Sequence, residues 1–391
     1  MLSAVTKNGQ LITLASLSKR EIHDLRSKDS FYCPACNNEV IVKAGDITIP
    51  HFAHLKSQHC PEKGGGEGEY HYRGKLLLYE WFLQQQIDVE LEPYLPQIHQ
   101  RPDLLLRIKD RMIAIEYQCA KIDPKIIYER NKGYKRANII PIWVLGANQF
   151  KRITANHIKI NRFTLSFIHR FSKDHPTSLF YFCPLSKQLS FIQDIIITSP
   201  HKALAKLSFF PLSKATFFNF FLKQFFIDNE LYSLWRQEKR VFRLRKNSNF
   251  GAERHWLNWL YHQHLHIDYL PAHIFLPVRS QYKMKVPLWN WQSRFLLDFL
   301  QRIPKDGVFS TFQAERFLKR YLHIKVDKEL IHYDDSPLIE YCYLLCQTGI
   351  LKQVSMTKFK KLLQPDYYKQ IEEALNGDGE LLRYFMYNRI Q

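Results

Sequence analysis

The stretch Gln100–Gln118, QRPDLLLRIKDRMIAIEYQ, decides the fold that we predict for this chain. Its two apolar runs predict two strands joined by a tight polar turn at 109–110. A two-residue turn of this kind places Asp103 opposite Glu116 on the neighbouring strand. Like charges in direct opposition destabilise a sheet, so a cation is expected between the two carboxylates. Carboxylates on adjacent strands are ligands that Mg²⁺ and Mn²⁺ prefer, and the pair predicts a divalent-metal site.

The segments on either side of this hairpin predict a mixed helix and strand core. Apolar periodicity indicates a helix at roughly 67–86, a strand at 88–92, a second helix at 124–137 and an apolar strand at 138–146. The predicted order is therefore helix, three strands, helix, strand. The alternative interpretation is a solvated hairpin whose acids are surface residues without a partner.

Composition favours a globular protein that binds a polyanion. The chain has 391 residues, a formal net charge of +19 and 46% hydrophobic residues, which is enough for real cores. Residues 151–250 alone carry 17 Lys and Arg against 5 Asp and Glu. Because no amphipathic anchor accompanies this charge, nucleic acid is favoured over a membrane, although a solvated basic surface is the alternative.

Cysteine usage and the N-terminus indicate a reducing compartment. Seven cysteines, an odd number, in a chain without a signal-peptide pattern argue against a disulfide framework. No stretch approaches 18 consecutive apolar residues, so no membrane span is expected. We therefore expect a cytoplasmic protein.

A Cys and His cluster near the N-terminus predicts a structural zinc site. Its five candidate ligands are Cys33, Cys36, His51, His54 and Cys60, and a tetrahedral ion takes four of them. We favour Cys33, Cys36, His54 and Cys60, with His51 as a substitute ligand or a supporting neighbour. A redox CxxC motif is the alternative, but such a motif usually opens a helix and needs no histidines.

The region after residue 150 is rich in aromatic and basic residues. A small strand pair is predicted within 163–192, and from Pro200 onward the pattern is mostly helical. Aromatic and basic residues interleave in WRQEKRVFRLRKNSNF at 235–250, which favours a groove that follows phosphates, although a solvated helix face is the alternative. The candidate DNA-binding residues are Arg236, Lys239, Arg240, Arg243, Arg245 and Lys246.

Two resemblances extend these predictions. The element order, with Pro-Asp on the second strand and Glu-x-Gln on the third, resembles the PD-(D/E)XK nuclease-like core. An N-terminal hairpin, the CPAC and HFAH segments with a further Cys, the E-x-H-x3-K helix, the two acidic strands and the IWVLG strand together resemble the competence protein CoiA family over residues 1–150. The basic C-terminal part is consistent with that family but adds no diagnostic motif.

The resemblance implies a catalytic role for residues on both sides of the acid pair. Implied site residues are Asp103, Glu116 and Gln118, with Glu67, Glu69, His71 and Lys75 on the preceding helix. The metal held by the acids would activate water against a phosphodiester. One departure is that the family usually carries Lys where this chain has Gln118, so Lys75, Lys121 or Lys132 would have to supply an ammonium group.

The implied function is DNA processing and recombination during genetic transformation. Single-stranded or branched DNA is the expected substrate, a Mg- or Mn-dependent deoxyribonuclease the expected activity, and a RecA-type recombinase and other competence proteins the expected partners. Gln118 favours a second interpretation, a catalytically inactive recombination mediator that keeps the nuclease fold for DNA and protein binding. A third is an adaptor that binds other proteins through its helical C-terminal region.

These considerations predict an α+β or α/β protein in three parts. Residues 1–62 would form the hairpin and zinc unit, residues 63–155 a restriction-endonuclease-like αβββαβ domain, and residues 156–391 a basic, mainly helical region.

Overall fold

The structure is a computed structural model of the chain. It describes residues 1–14, 17–45, 49–55, 60, 68–245, 250–322, 330–333 and 335–387. No helix within these residues is long and apolar enough to cross a membrane.

The N-terminal unit is a small sheet with one helix. Ser18 begins the helix by accepting a hydrogen bond from the Glu21 amide, and the Glu21 side chain accepts one from the Ser18 amide. Its elements are β1 (Ser3–Thr6), β2 (Leu11–Thr13), α1 (Lys19–Lys28), β3 (Phe31–Tyr32), β4 (Glu39–Lys43) and β5 (His51–His54). The five strands pair in the order β2-β1-β3-β4-β5.

The next elements follow the predicted order of helix, three strands, helix, strand. They are α2 (Glu69–Gln84), β6 (Asp88–Leu91), β7 (Leu104–Ile108), β8 (Arg111–Gln118), α3 (Pro124–Arg136) and β9 (Ile139–Gly146). Strands β6, β7 and β8 are antiparallel and β9 is parallel to β8. Ile108 pairs with Arg111 across the turn, which confirms the predicted hairpin register.

The two helices cover opposite faces of this hairpin. Leu104 and Leu106 of β7 join the same apolar core as Phe82 of α2, whereas Leu105 joins the core that contains Tyr134 of α3. Alternate side chains of a strand point to opposite faces, so α2 and α3 lie on either side of the sheet. The acids at the end of the hairpin consequently have one helix on each side.

The sheet continues well beyond the predicted strand pair. The added elements are β10 (His157–Lys159), α4 (Arg162–Leu165), β11 (Ser178–Cys183), β12 (Gln188–Ser199) and β13 (Lys202–Pro211). Together they make one eight-stranded sheet in the order β10-β13-β12-β11-β9-β8-β7-β6. The boundary predicted at 155–156 falls inside this sheet, and β13 occupies a segment after Pro200 that was predicted to be helical. The strands after residue 155 are mostly apolar runs, and such a run does not distinguish a buried strand from a helix.

The C-terminal region is mainly helical, as predicted, but also contains a small sheet. The elements are α5 (Asp228–Leu244), α6 (Gly251–His262), α7 (Leu288–Arg294), β14 (Val308–Ser310), α8 (Thr311–Leu318), α9 (Pro337–Gln347), β15 (Leu351–Ser355), β16 (Lys358–Lys361) and α10 (Ile371–Tyr387). Strands β14, β15 and β16 form a three-stranded antiparallel sheet in the order β14-β16-β15.

Candidate functional site

Asp103 lies at the base of the hairpin and is bound from α2. Strand β7 begins one residue later, so the ladder pair between Asp103 and Glu116 that the hairpin register predicted does not form. Asp103 Oδ1 is instead 2.8 Å from Lys75 Nζ, and Oδ2 accepts a hydrogen bond of 2.8 Å from the Tyr117 amide. His71 Nε2 donates to the Tyr117 carbonyl at 2.6 Å and lies 3.5 Å from Asp103 Oδ2.

Lys75 also contacts a second carboxylate, that of Glu92, which was not among the residues predicted from the sequence. Its Nζ donates to Glu92 Oε1 at 2.6 Å, and both side chains are almost completely buried, with exposed fractions of 1% and 2%. Glu92 Oε2 accepts a hydrogen bond of 2.7 Å from the Leu2 amide in the N-terminal unit. The sequence signal is an acid directly after a short strand of alternating polar and apolar residues, which is too common to single out.

Glu116 is buried against α3. Its Oε1 accepts hydrogen bonds from Arg130 Nε at 3.1 Å, from Arg130 Nη2 and from the Tyr134 hydroxyl. Within the described residues, Oε2 receives no hydrogen bond. Each acid therefore has a cationic side chain beside it, Lys75 for Asp103 and Arg130 for Glu116, and the divalent metal expected from the sequence stays a prediction.

The two acids differ in protonation. Burial opposes ionisation of Asp103, but the charges of Lys75 and His71 outweigh burial and hold its pKa well below the usual range. Burial raises the pKa of Glu116 to about 7, with the negative charge of Asp103 adding to the effect and Arg130 opposing it. Around neutral pH the site therefore contains one firmly ionised carboxylate and one that exchanges a proton readily.

The remaining predicted residues lie at the margin of this site. Gln118 is half-buried, and its Nε2 donates to the Ala120 carbonyl at 2.7 Å. Glu69 is exposed in the first turn of α2, and Lys121 and Lys132 are exposed, so of the three candidate lysines only Lys75 contacts an acid in the described chain. Glu67 lies outside the described residues.

The acid site offers carboxylate oxygens from Asp103 and Glu116. Such oxygen donors suit Mg²⁺ or Mn²⁺. Within the described residues the acid site does not bring three or more His, Cys, Asp or Glu donors within 4.8 Å of one another, as the N-terminal unit does. Arg130 donates hydrogen bonds to Glu116 Oε1. An incoming ion would therefore have to bind Oε2 or displace the half-buried side chain of Arg130.

The N-terminal unit brings four of the five predicted zinc ligands together. The donor atoms of Cys33, Cys36, His54 and Cys60 all lie within 4.8 Å of one another, and Cys36 Sγ is 3.3 Å from His54 Nε2. Tetrahedral zinc with bonds of about 2.0–2.3 Å separates its ligands by roughly 3.5 Å, so the cluster can hold this metal. Burial lowers the pKa of His54, which keeps the imidazole in the neutral form that binds metal.

His51 lies outside this four-residue cluster. Its Nδ1 is 2.9 Å from the Ile49 carbonyl, and its ring stacks on Tyr72 of α2 with centroids 5.2 Å apart. His51 therefore contributes to the contact between the zinc unit and the nuclease-like region.

The predicted phosphate groove on α5 is corrected by the structure. Lys239 and Arg243 are buried and both contact Asp378 of α10, at 3.1 and 3.0 Å. Lys239 also donates to the carbonyls of Ala272 and Ile274, at 2.6 and 2.8 Å. These two side chains hold the C-terminal helices together and cannot reach a nucleic acid.

Among the described residues, the other members of that group are in different surroundings. Arg245 pairs with Glu253 at 2.8 Å and lies over the Phe242 ring. Arg236 and Arg240 are exposed, and Lys246 lies outside the described residues. The aromatic spacing in this segment reflects packing, because Trp235 and Phe242 are buried in the core of the C-terminal region.

Comparison with known proteins gives one consistent result. Family models match the nuclease-like domain of competence protein CoiA at residues 67–225, the N-terminal domain at 14–63 and the C-terminal domain at 231–375. A competence protein CoiA from Bacillus subtilis (strain 168) is 32% identical over 330 residues, which cover 83% of this chain and 87% of the relative. No solved structure matches the chain significantly.

Proposed function

This chain belongs to the competence protein CoiA family, and from that premise we propose that it is a DNA-processing protein of competence and transformation. It acts on incoming single-stranded or branched DNA during recombination, through a metal-dependent phosphodiesterase-like site. The observation that supports the proposal is that Asp103, with Lys75 at 2.8 Å and His71 at 3.5 Å, and Glu116 at the end of β8 lie at the base of the same hairpin.

In this proposal Asp103 and Glu116 hold Mg²⁺ or Mn²⁺. A divalent ion bound there would lower the pKa of a water molecule and stabilise charge on the phosphodiester. Lys75 keeps Asp103 ionised and supplies the positive charge that the family usually places at the position of Gln118. His71 fixes the end of β8 through the Tyr117 carbonyl and adds to the stabilisation of the Asp103 charge.

Two contacts favour the second candidate, a catalytically inactive recombination mediator. Arg130 and Tyr134 occupy Glu116 Oε1, and the amide of Gln118 is bound to a backbone carbonyl. A protein in which these contacts persist would bind DNA and partners such as a RecA-type recombinase without cleaving the DNA.

A cleavage assay separates the two functions. Labelled single-stranded, duplex and branched DNA are incubated with wild type, Asp103→Asn and Asp110→Asn, each with Mg²⁺, Mn²⁺ or EDTA. Asp110 is an exposed acid in the turn of the same hairpin and provides a matched control. We expect metal-dependent products from wild type and Asp110→Asn and none from Asp103→Asn. DNA binding without products under every condition would reject the nuclease and favour the mediator.

A further inference from the structure

The small sheet of the C-terminal region has one apolar and one basic face. On the inner face Phe309 and Phe359 are buried, with ring centroids 6.1 Å apart, and Phe309 also packs against Phe295 and Phe299. Each of these rings belongs to the core of the C-terminal region. The position of the inner face fixes which residues point the other way, because side chains alternate along a strand.

Three lysines occupy the outer face. Lys352 of β15 lies directly opposite Lys360 of β16, which in turn lies opposite Val308 of β14. Lys358 follows two residues from Lys360 on the same face. Lys352, Lys358 and Val308 are exposed and Lys360 is half-buried, so this face is accessible to solvent.

The arrangement of these lysines is unfavourable without an anion. Like charges directly opposite each other destabilise a sheet, and Lys352 and Lys360 are such a pair. Asp306 compensates Lys360 at 2.7 Å, but in the described part of the chain neither Lys352 nor Lys358 has a carboxylate partner. By contrast, Lys361 on the inner face is bound to the carbonyls of Leu300 and Ile303.

We propose that the outer face of this sheet, defined by Lys352, Lys358 and Lys360, binds the phosphate backbone of DNA. The inference rests on the proposed function, because it names the surface through which a DNA-processing protein would hold its substrate. The Cα atoms of neighbouring lysines on this face are roughly 5–7 Å apart, a spacing on the scale of consecutive phosphates along a DNA strand. An array of cations without base-reading geometry provides affinity without sequence preference.

The connectivity around the sheet gives this assignment a structural precedent. A strand, two helices and a hairpin, with the first strand beside the last, is the arrangement of winged-helix domains, whose hairpin is the wing. This is an analogy at the level of fold. Helix α9, the counterpart of the helix that enters a DNA groove in such domains, is largely buried here. The analogy therefore supports the hairpin, whose tip exposes Met356, and not the helix.

The test is DNA binding in EDTA, where no metal-dependent cleavage interferes. Fluorescence anisotropy with a labelled single-stranded oligonucleotide compares wild type, the triple variant Lys352→Gln/Lys358→Gln/Lys360→Gln and a control triple, Lys7→Gln/Lys109→Gln/Lys214→Gln. The control removes the same charge from exposed lysines elsewhere. We expect the slope of log affinity against log salt to decrease by about 2 in the first triple, with roughly ten- to hundredfold weaker binding near 0.1 M salt.

The outcomes are separable. A control that loses as much affinity as the first triple, or a first triple that binds like wild type, would overturn the assignment while leaving the proposed function intact. A wild type that binds no DNA at low salt would overturn both. Thermal melting provides an independent readout. The triple variant loses both the Lys352 and Lys360 repulsion and the exposed ion pair of Lys360 with Asp306, two small and opposing effects, so its Tm should stay close to that of wild type.

Discussion

The chain contains two candidate metal sites whose charges are balanced in different ways. In the N-terminal unit, three thiols and an imidazole lie within 4.8 Å of one another. At the hairpin, each carboxylate already has a cationic partner, Lys75 for Asp103 and Arg130 for Glu116. The first cluster brings four metal ligands together, whereas each acid of the hairpin already has a protein cation beside it.

This difference in charge compensation predicts different roles for the two candidate metals, zinc in the N-terminal unit and Mg²⁺ or Mn²⁺ at the acid pair. A metal that supplies the only compensation of its ligands contributes its binding energy directly to folding. A metal that competes with built-in cations gives little net stability and can exchange, as expected for an ion that acts on a substrate. We therefore expect the zinc unit to depend on its metal for structure, and the acid site to depend on its metal only for activity.

The largest expected effect is on the zinc unit. Cys33→Ser should abolish zinc binding and unfold residues 1–60, because structural zinc sites contribute on the order of 10 kcal/mol to the domains they close. Elemental analysis should give about one zinc per chain for wild type, and hydrogen exchange should show the loss of protection in the variant.

Two controls make this prediction specific. Cys183→Ser, at a half-buried cysteine outside the cluster, and His51→Ala should both retain zinc. Well-folded wild-type protein without zinc, or zinc lost in His51→Ala, would show that the four ligands are wrongly assigned.

The second-largest effect is expected for Lys75, the cation that contacts Asp103 and Glu92. Lys75→Met should reduce the free energy of unfolding by about 3–5 kcal/mol, because it removes the buried ammonium that Asp103 and Glu92 share and leaves only the longer contacts of His71 with Asp103, at 3.5 Å, and of Arg101 with Glu92, at 4.0 Å. Urea denaturation measures the change, with Lys132→Met, at an exposed lysine on α3, as the neutral control. A loss below about 1 kcal/mol would mean that Lys75 is not what balances the acids.

The contrast also shows what the sequence could predict. The register of the hairpin and the four zinc ligands follow from short-range patterns, namely a two-residue turn and a CxxC motif with later His and Cys. The partners of the acids come from other elements, Lys75 from α2 and Arg130 from α3. No periodicity within the hairpin encodes those contacts.

Two of the α5 residues, Lys239 and Arg243, failed as a DNA-binding prediction for the same reason. Arg243 and Lys239 are buried because Asp378 neutralises them, and Asp378 lies 135 positions from Arg243. A basic helix with interleaved aromatics has the same pattern whether its charges face solvent or a distant carboxylate.

A smaller effect is expected in the pH dependence of stability. The pKa of Glu116 is about 7 in the folded protein against its usual 4.5, so folding favours the protonated form. This contribution is fully present below 4.5 and is lost as the pH rises through 7. In EDTA, the free energy of unfolding of wild type relative to Glu116→Gln should decrease by up to about 3 kcal/mol across that range, at roughly 1.4 kcal/mol per pKa unit. Parallel stability curves for the two proteins would contradict the shift.

The central claim is that Asp103 and Glu116 form an exchangeable metal site, and a Mn²⁺ titration of thermal stability tests it most directly. Zinc-loaded wild type and Asp103→Asn are melted in EDTA-treated buffer and then with increasing Mn²⁺. We predict a saturable rise in Tm for wild type, equivalent to about 1.4 kcal/mol at ten times Kd, and no rise for the variant. A wild type that does not respond, or a variant that responds equally, would contradict the claim.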